Sequence, residues 1–267
     1  VYDGSPAQEA GMRDGDTLYM VEGEEVAGED LSDVVGKVKG EKGTQVTLTV
    51  LRADTGDEEE LTITRDTIEA QTVSHEMKEN NVGYIRITEF DTVTYEQYKE
   101  ALEDLEDQGM ERLIVDLRSN PGGNLDTVCD ILDLMLPEGL IVYTEDKNGE
   151  REEYTSDEEN QFHKPLVVMM NGYSASASEI FAGAIQDYGL GQIVGTQSYG
   201  KGVVQSVFDL QDGTSVKLTI AEYFTPNGRS IDGEGITPDV EVEYQYDENN
   251  PDADNQLEKA MEVVAQQ

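Results

Sequence analysis

Apolar residues first fall into a helical period at Leu31, Val34, Val35 and Val38, the i, i+3, i+4, i+7 spacing of one helix face, ahead of a Gly40-Glu41-Lys42-Gly43 turn. The period then drops to two. Val46, Leu48 and Val50 point one way and Thr47 and Thr49 the other, which predicts a half-buried strand. A charged hairpin loop over 54–60 and a return strand over 61–65 follow. Upstream, Ser5 suits an N-cap, Pro6 the first helical position, Gln8 a capping box and Gly11 the residue after a helix end, so one short helix is specified at both ends. The stretch 66–81 shows no period and reads as a connection.

From residue 82 the pattern alternates between strand and helix. Tyr95, Tyr98, Leu102 and Leu105 make a helical stripe, and 112–117 is a continuous apolar run of buried-strand type. Val128, Ile131, Leu132 and Met135 mark a helix, 140–143 and 165–170 strands, 176–188 a helix and 191–196 a strand. Such alternation implies parallel strands joined by crossover helices, hence an α/β domain. After Lys201 the chain is strand-rich, with strands over 203–210 and 214–223 joined at Asp212-Gly213, and a last helix carries Leu257, Ala260, Met261 and Val264. The expected division is a small β-rich module over 1–66 and an α/β domain over 67–267.

Charge narrows the partners. Of 267 residues, 58 are acidic and 18 basic, a net charge of -40, which repels nucleic acid phosphates and anionic membrane surfaces. The bulk of these carboxylates reads as a solvated surface. No EF-hand loop occurs, the two histidines His75 and His163 lie far apart, and the only thiol, Cys129, sits in an apolar helical pattern, so zinc-ligand spacing is absent and no metal or cofactor is expected. No run is long and apolar enough to span a membrane.

Three segments can carry chemistry. Residues 171–180 run from a strand end into a helix start through Ser174-Ala175-Ser176-Ala177-Ser178-Glu179, where free backbone N–H groups and the helix dipole can stabilise developing negative charge. Ser176 to Glu179 is equally an ordinary capping box. Residues 195–202 nearly match a phosphate-binding loop, but Gly202 follows Lys201 where a Ser or Thr is required, and a strand pattern rather than a helix comes next. A desolvated lysine here can instead take a proton from serine without a histidine. The third segment, Asp116 to Gly123, ends in Asn-Pro-Gly-Gly, a good turn whose exposed amides could also supply an oxyanion donor.

Taken in order, 116–123, 171–180 and 195–205, followed by Tyr223-Phe224-Thr225-Pro226-Asn227-Gly228 and Gly235-Ile236-Thr237-Pro238-Asp239, the chain resembles the carboxyl-terminal processing (tail-specific) protease family. The resemblance implies a Clp/crotonase-like α/β protease core. It also implies Ser176 as nucleophile, Lys201 as general base, Gln205 holding that lysine, and oxyanion amides at Ala177 and the Gly122-Gly123 pair, with Gly123 preferred. Gly4-Ser5-Pro6-Ala7, Ala10-Gly11 and Gly15-Asp16 are similar to a bacterial PDZ domain, which binds peptide C-termini by strand addition. Against that pattern the chain opens inside the domain, so its first strand and carboxylate-binding loop are expected to be missing. The expected partners are proteins bound through their C-terminal tails, with a homo-oligomer left open and a cell-envelope location implied. A non-catalytic peptide-binding protein of the same fold is the alternative.

Overall fold

The computed structural model of the chain describes residues 1–2, 4–68, 70–157, 159–210, 213–251 and 253–267. These form two compact units, Val1–Gln71 and Thr72–Gln267.

In the first unit, α1 (Pro6–Glu9) begins where Ser5 Oγ accepts the Gln8 N–H at 3.3 Å, while the Gln8 side chain accepts from Gly4 instead of completing the box on Ser5. Four antiparallel strands follow in the order β2-β1-β3-β4: β1 (Thr17–Val21), β2 (Glu24–Glu25), β3 (Gln45–Leu51) and β4 (Glu58–Thr64). The predicted alternation holds in β3, whose Val46, Leu48 and Val50 are buried. The charged loop is shorter than expected because β4 starts at Glu58. Helix α2 (Leu31–Val38) forms over the predicted stripe yet buries none of its residues. Its apolar side instead lines an open groove of ≈ 530 Å³ with Ala7, Leu18, Leu48 and Ile63.

The second unit is built on a six-stranded sheet ordered β14-β11-β10-β7-β6-β5. Its strands are β5 (Val73–Lys78), β6 (Val82–Ile87), β7 (Arg112–Asp116), β10 (Leu166–Met170), β11 (Gln192–Gly195) and β14 (Val240–Glu241). All neighbours pair in parallel except β5 with β6. Both faces are covered, which is why β7 and β10 read as unbroken apolar runs. Leu113, Val115, Leu166 and Val168 face α3 (Thr94–Asp107), α4 (Leu125–Asp133) and α5 (Ala177–Tyr188). Ile114, Val167, Met169 and Val194 face α6 (Asn255–Val264). A separate antiparallel sheet, β12-β13-β8-β9, is formed by β8 (Gly139–Asp146), β9 (Arg151–Ser156), β12 (Val203–Asp209) and β13 (Ser215–Phe224).

Three expectations change. Residues 66–81 are not merely a connection, because β5 lies within them as the outer strand of the large sheet, with Val73 buried and Ser74, His75 and Glu76 exposed. An edge strand with one covered residue leaves no period to read. Strand β9 was unread for the same reason, since its first three residues, Arg151, Glu152 and Glu153, are exposed. Along the strand expected over 214–223, Val216, Leu218 and Ile220 alternate as an apolar face, but in β13 that face is not covered: Leu218 and Ile220 are about half exposed. Asp212 of the expected Asp212-Gly213 turn lies outside the described residues.

Candidate active site

The site is assembled where the parallel strands end. Strand β10 stops at Met170, and Asn171 turns the chain: its N–H donates to Ser174 Oγ at 2.9 Å, while Ser174 N–H donates back to Asn171 O at 2.8 Å. Ser174 Oγ in turn donates to Leu117 O at 2.8 Å, tying the turn to the end of β7. Helix α5 starts one residue after Ser176, which has φ +54°, ψ -115°. Few non-glycine residues adopt positive φ, and here it presents the Ser176 side chain at a sharp strand-to-helix elbow.

Asn120 holds this elbow from behind. The side chain is fully buried; its Oδ1 accepts the Gly122 N–H at 2.8 Å and its Nδ2 donates to Ile87 O at 3.0 Å. Its carbonyl accepts both Ala175 N–H and Ser178 Oγ–H, each at 3.0 Å. Gly122 therefore lies hard against the elbow: a Cβ there would stand 2.8 Å from Ser176 Cβ and 2.9 Å from Ala177 N. With its N–H spent on Asn120, Gly122 has no donor left for a substrate. The N–H groups of Gly123 and Ala177 have no acceptor among the described residues.

Lys201 arrives from the neighbouring strand. After β11 the chain loops back and enters β12, so a strand rather than a helix follows the lysine and the phosphate-loop reading fails. A Cβ at Gly202 would stand 2.1 Å from Asp232 N, so only glycine lets the loop pass that close to the 231–236 segment. The elbow and the lysine loop meet at one carboxylate. Glu179, fully buried, accepts Ser176 N–H at 2.8 Å and Lys201 N–H at 2.9 Å on the same oxygen, Oε2. Its Oε1 accepts Ser198 Oγ–H at 2.5 Å and Gly200 N–H at 2.6 Å.

The structure does not bring every expected partner together. No hydrogen bond joins Ser176 Oγ to Lys201 Nζ among the described residues. Gln205 is exposed, and its Nε2 donates to Thr219 Oγ1 at 3.4 Å rather than to the lysine.

Beside the elbow, buried Asp116 accepts from Tyr84 Oη at 2.6 Å and from the Arg118 guanidinium, which also bonds Asp254 and Gln256. Burial above all, with the Asp116 charge next to it, pushes the Tyr84 hydroxyl far above its usual range. Cys129 is buried in α4, and burial together with Asp126 and Asp130 pushes its thiol up to about 12. No cluster of three or more metal-ligating side chains occurs among the described residues.

Sequence reasoning missed Glu179 and Asn120 as parts of the site, reading one as a capping residue and the other as a turn former. The signal for Glu179 was present: it is a lone carboxylate followed by Ile180-Phe181-Ala182-Gly183-Ala184-Ile185, on a helix with no solvent face at that point.

Strand order, elbow and lysine loop together make a site at the strand ends of an α/β domain, with a serine at a helix start and a lysine on a facing loop. Comparison with known proteins makes it specific. Residues 81–242 match the model of peptidase family S41, and residues 1–52 match a PDZ domain. The chain belongs to peptidase family S41. It is 39% identical over 268 residues to a carboxyl-terminal-processing protease of Synechocystis sp., covering 98% of this chain and 63% of that protein. It is also 39% identical over 241 residues to the carboxy-terminal processing protease CtpA of Bacillus subtilis, covering 90% of this chain and 52% of the relative. Among solved structures, the photosystem II D1 C-terminal processing protease aligns with TM-score 0.60 and 33% identity, covering 89% of this chain and 65% of that one. The chain thus spans about half to two thirds of the length of these relatives.

Proposed function

We propose that the chain carries a serine endopeptidase that cleaves protein C-terminal tails, with Ser176 as nucleophile and Lys201 as general base. The observation that carries this is the convergence of the Ser176 and Lys201 main chains on one oxygen of Glu179, beside two free amides. A lysine carries its amine on a flexible four-carbon stem, and catalytic hydrogen bonds often close only when substrate binds. Ser176 Oγ attacks the scissile carbonyl, Lys201 takes its proton and returns it to the leaving amine, and water hydrolyses the acyl-enzyme. Ala177 and Gly123 N–H receive the oxyanion. For Gln205 to steady the lysine it must leave Thr219.

The groove beside α2 supports capture of an apolar tail by the first unit, since it leaves an apolar helix face and a strand row uncovered. The family resemblance supports work in the cell envelope. No helix among the described residues is long and apolar enough to cross a membrane.

The test is incubation with a protein bearing an apolar C-terminal tail. Cleavage by the wild-type chain, lost in Ser176→Ala and in Lys201→Arg, is expected, because an arginine stays charged and cannot accept the proton. The present engagement of Gln205 with Thr219 favours a second reading, a peptide-binding protein without turnover. Substrate left as intact by wild type as by Ser176→Ala would establish that reading instead.

A further inference from the structure

We propose that Glu179 is a positioning residue for catalysis: its carboxylate sets the placement of the lysine loop on the nucleophile elbow. The inference rests on the Ser176/Lys201 reading above. A helix cap needs only the bond from Ser176 N–H. The other three donors, Ser198 Oγ, Gly200 N and Lys201 N, come from a segment 19 to 22 residues further along the chain. A carboxylate taken fully out of water without a cation is costly, and no Lys or Arg pairs with Glu179 among the described residues. Four donors on its two oxygens offset that cost, and they do so only while elbow and loop are held together.

The geometry gives the residue leverage. Ser176 keeps an uncommon positive φ while its own N–H is fixed on Oε2, and the same oxygen fixes the main chain of Lys201. On Oε1, Ser198 Oγ passes the restraint on by accepting Ile236 N–H at 2.6 Å, so the loop is held from both sides. The flanking Gly200 and Gly202 supply no stiffness of their own. A glutamine matches Glu179 in size but would turn an NH2 toward two of these donors, so the loop must move off the elbow.

The experiment compares wild type, Glu179→Gln and Ser198→Ala by steady-state cleavage of β-casein and by the rate at which a fluorophosphonate labels Ser176. In Glu179→Gln, kcat and the labelling rate are expected to fall about a hundredfold, the usual effect of a misplacement near 1 Å, with KM little changed. In Ser198→Ala, which removes one donor, kcat is expected to fall about tenfold, the worth of one hydrogen bond to a charged group. A folded Glu179→Gln with wild-type kcat and labelling, or with a raised KM alone, overturns the proposal. Should circular dichroism show that variant unfolded, Ser198→Ala decides: an unchanged kcat overturns the proposal and a reduced kcat at constant KM supports it. A wild-type chain that neither cleaves nor labels overturns the dyad reading itself, and the role of Glu179 with it.

Discussion

Gly122 shows how little room the elbow has. At φ +99° it takes a conformation that L side chains avoid, and an added Cβ would lie 2.6 Å from Ala175 O as well as against Ser176. Gly122→Ala is therefore expected to lose fluorophosphonate labelling and to be less stable by about 1–3 kcal/mol, the range for overpacking. A melting temperature and labelling rate equal to wild type would show that the elbow tolerates displacement. At this scale Ser176 and Lys201 stood out because each sits at a pattern break, a strand end before a helix for Ser176 and a Gly-flanked loop before a strand for Lys201, while their proposed roles came from the family resemblance. Glu179 was hidden because a local explanation, the capping box, already sufficed. Its partners lie beyond the helix, where spacing says nothing.

Helix α6 is fastened through its first residues. Asp254 caps it by accepting from Gln256 and Leu257 N–H, and it bonds Arg118, which is locked to Asp116 at the end of β7. Burial pulls the Asp254 carboxyl upward, but the Arg118 bond and the two amides outweigh it and leave it below the ordinary range. A depressed folded value means that the bond stabilises the fold above the unfolded pKa of about 3.9 and that this stability is lost as pH falls through the folded value. Asp254→Asn is accordingly expected to cost about 1–3 kcal/mol near neutral pH, with the gap in thermal midpoint holding down to about pH 5 and closing below about pH 3.9 as pH falls through the folded value. A gap of constant size across that range would refute the assignment. The elements easiest to read were those buried on both faces, such as β10, or given one clear stripe, such as α3. Edge strands β5 and β9 escaped because their exposed residues carry the composition of a loop.

Across the whole molecule the dominant number is the net charge of -40. Like charges at this density oppose compaction, and salt screens them: the Debye length shrinks from roughly 10 Å at about 0.1 M to roughly 3 Å at about 1 M. The melting temperature is expected to climb over that range of NaCl, and a flat or falling curve would mean that repulsion among the carboxylates does not limit stability. Composition disclosed this property directly, whereas the change of pattern along the chain suggested a boundary at 66–67 and the two units part after Gln71. The sealed thiol of Cys129 has a practical outcome at the same scale. Lying in the core with its ionisation pushed up to about 12, it is expected to stay silent toward maleimide dyes at neutral pH. A fluorophore pair can therefore be attached to cysteines introduced one on each unit without first deleting a native one, and the separation of the two bodies can be followed by energy transfer as substrate is added.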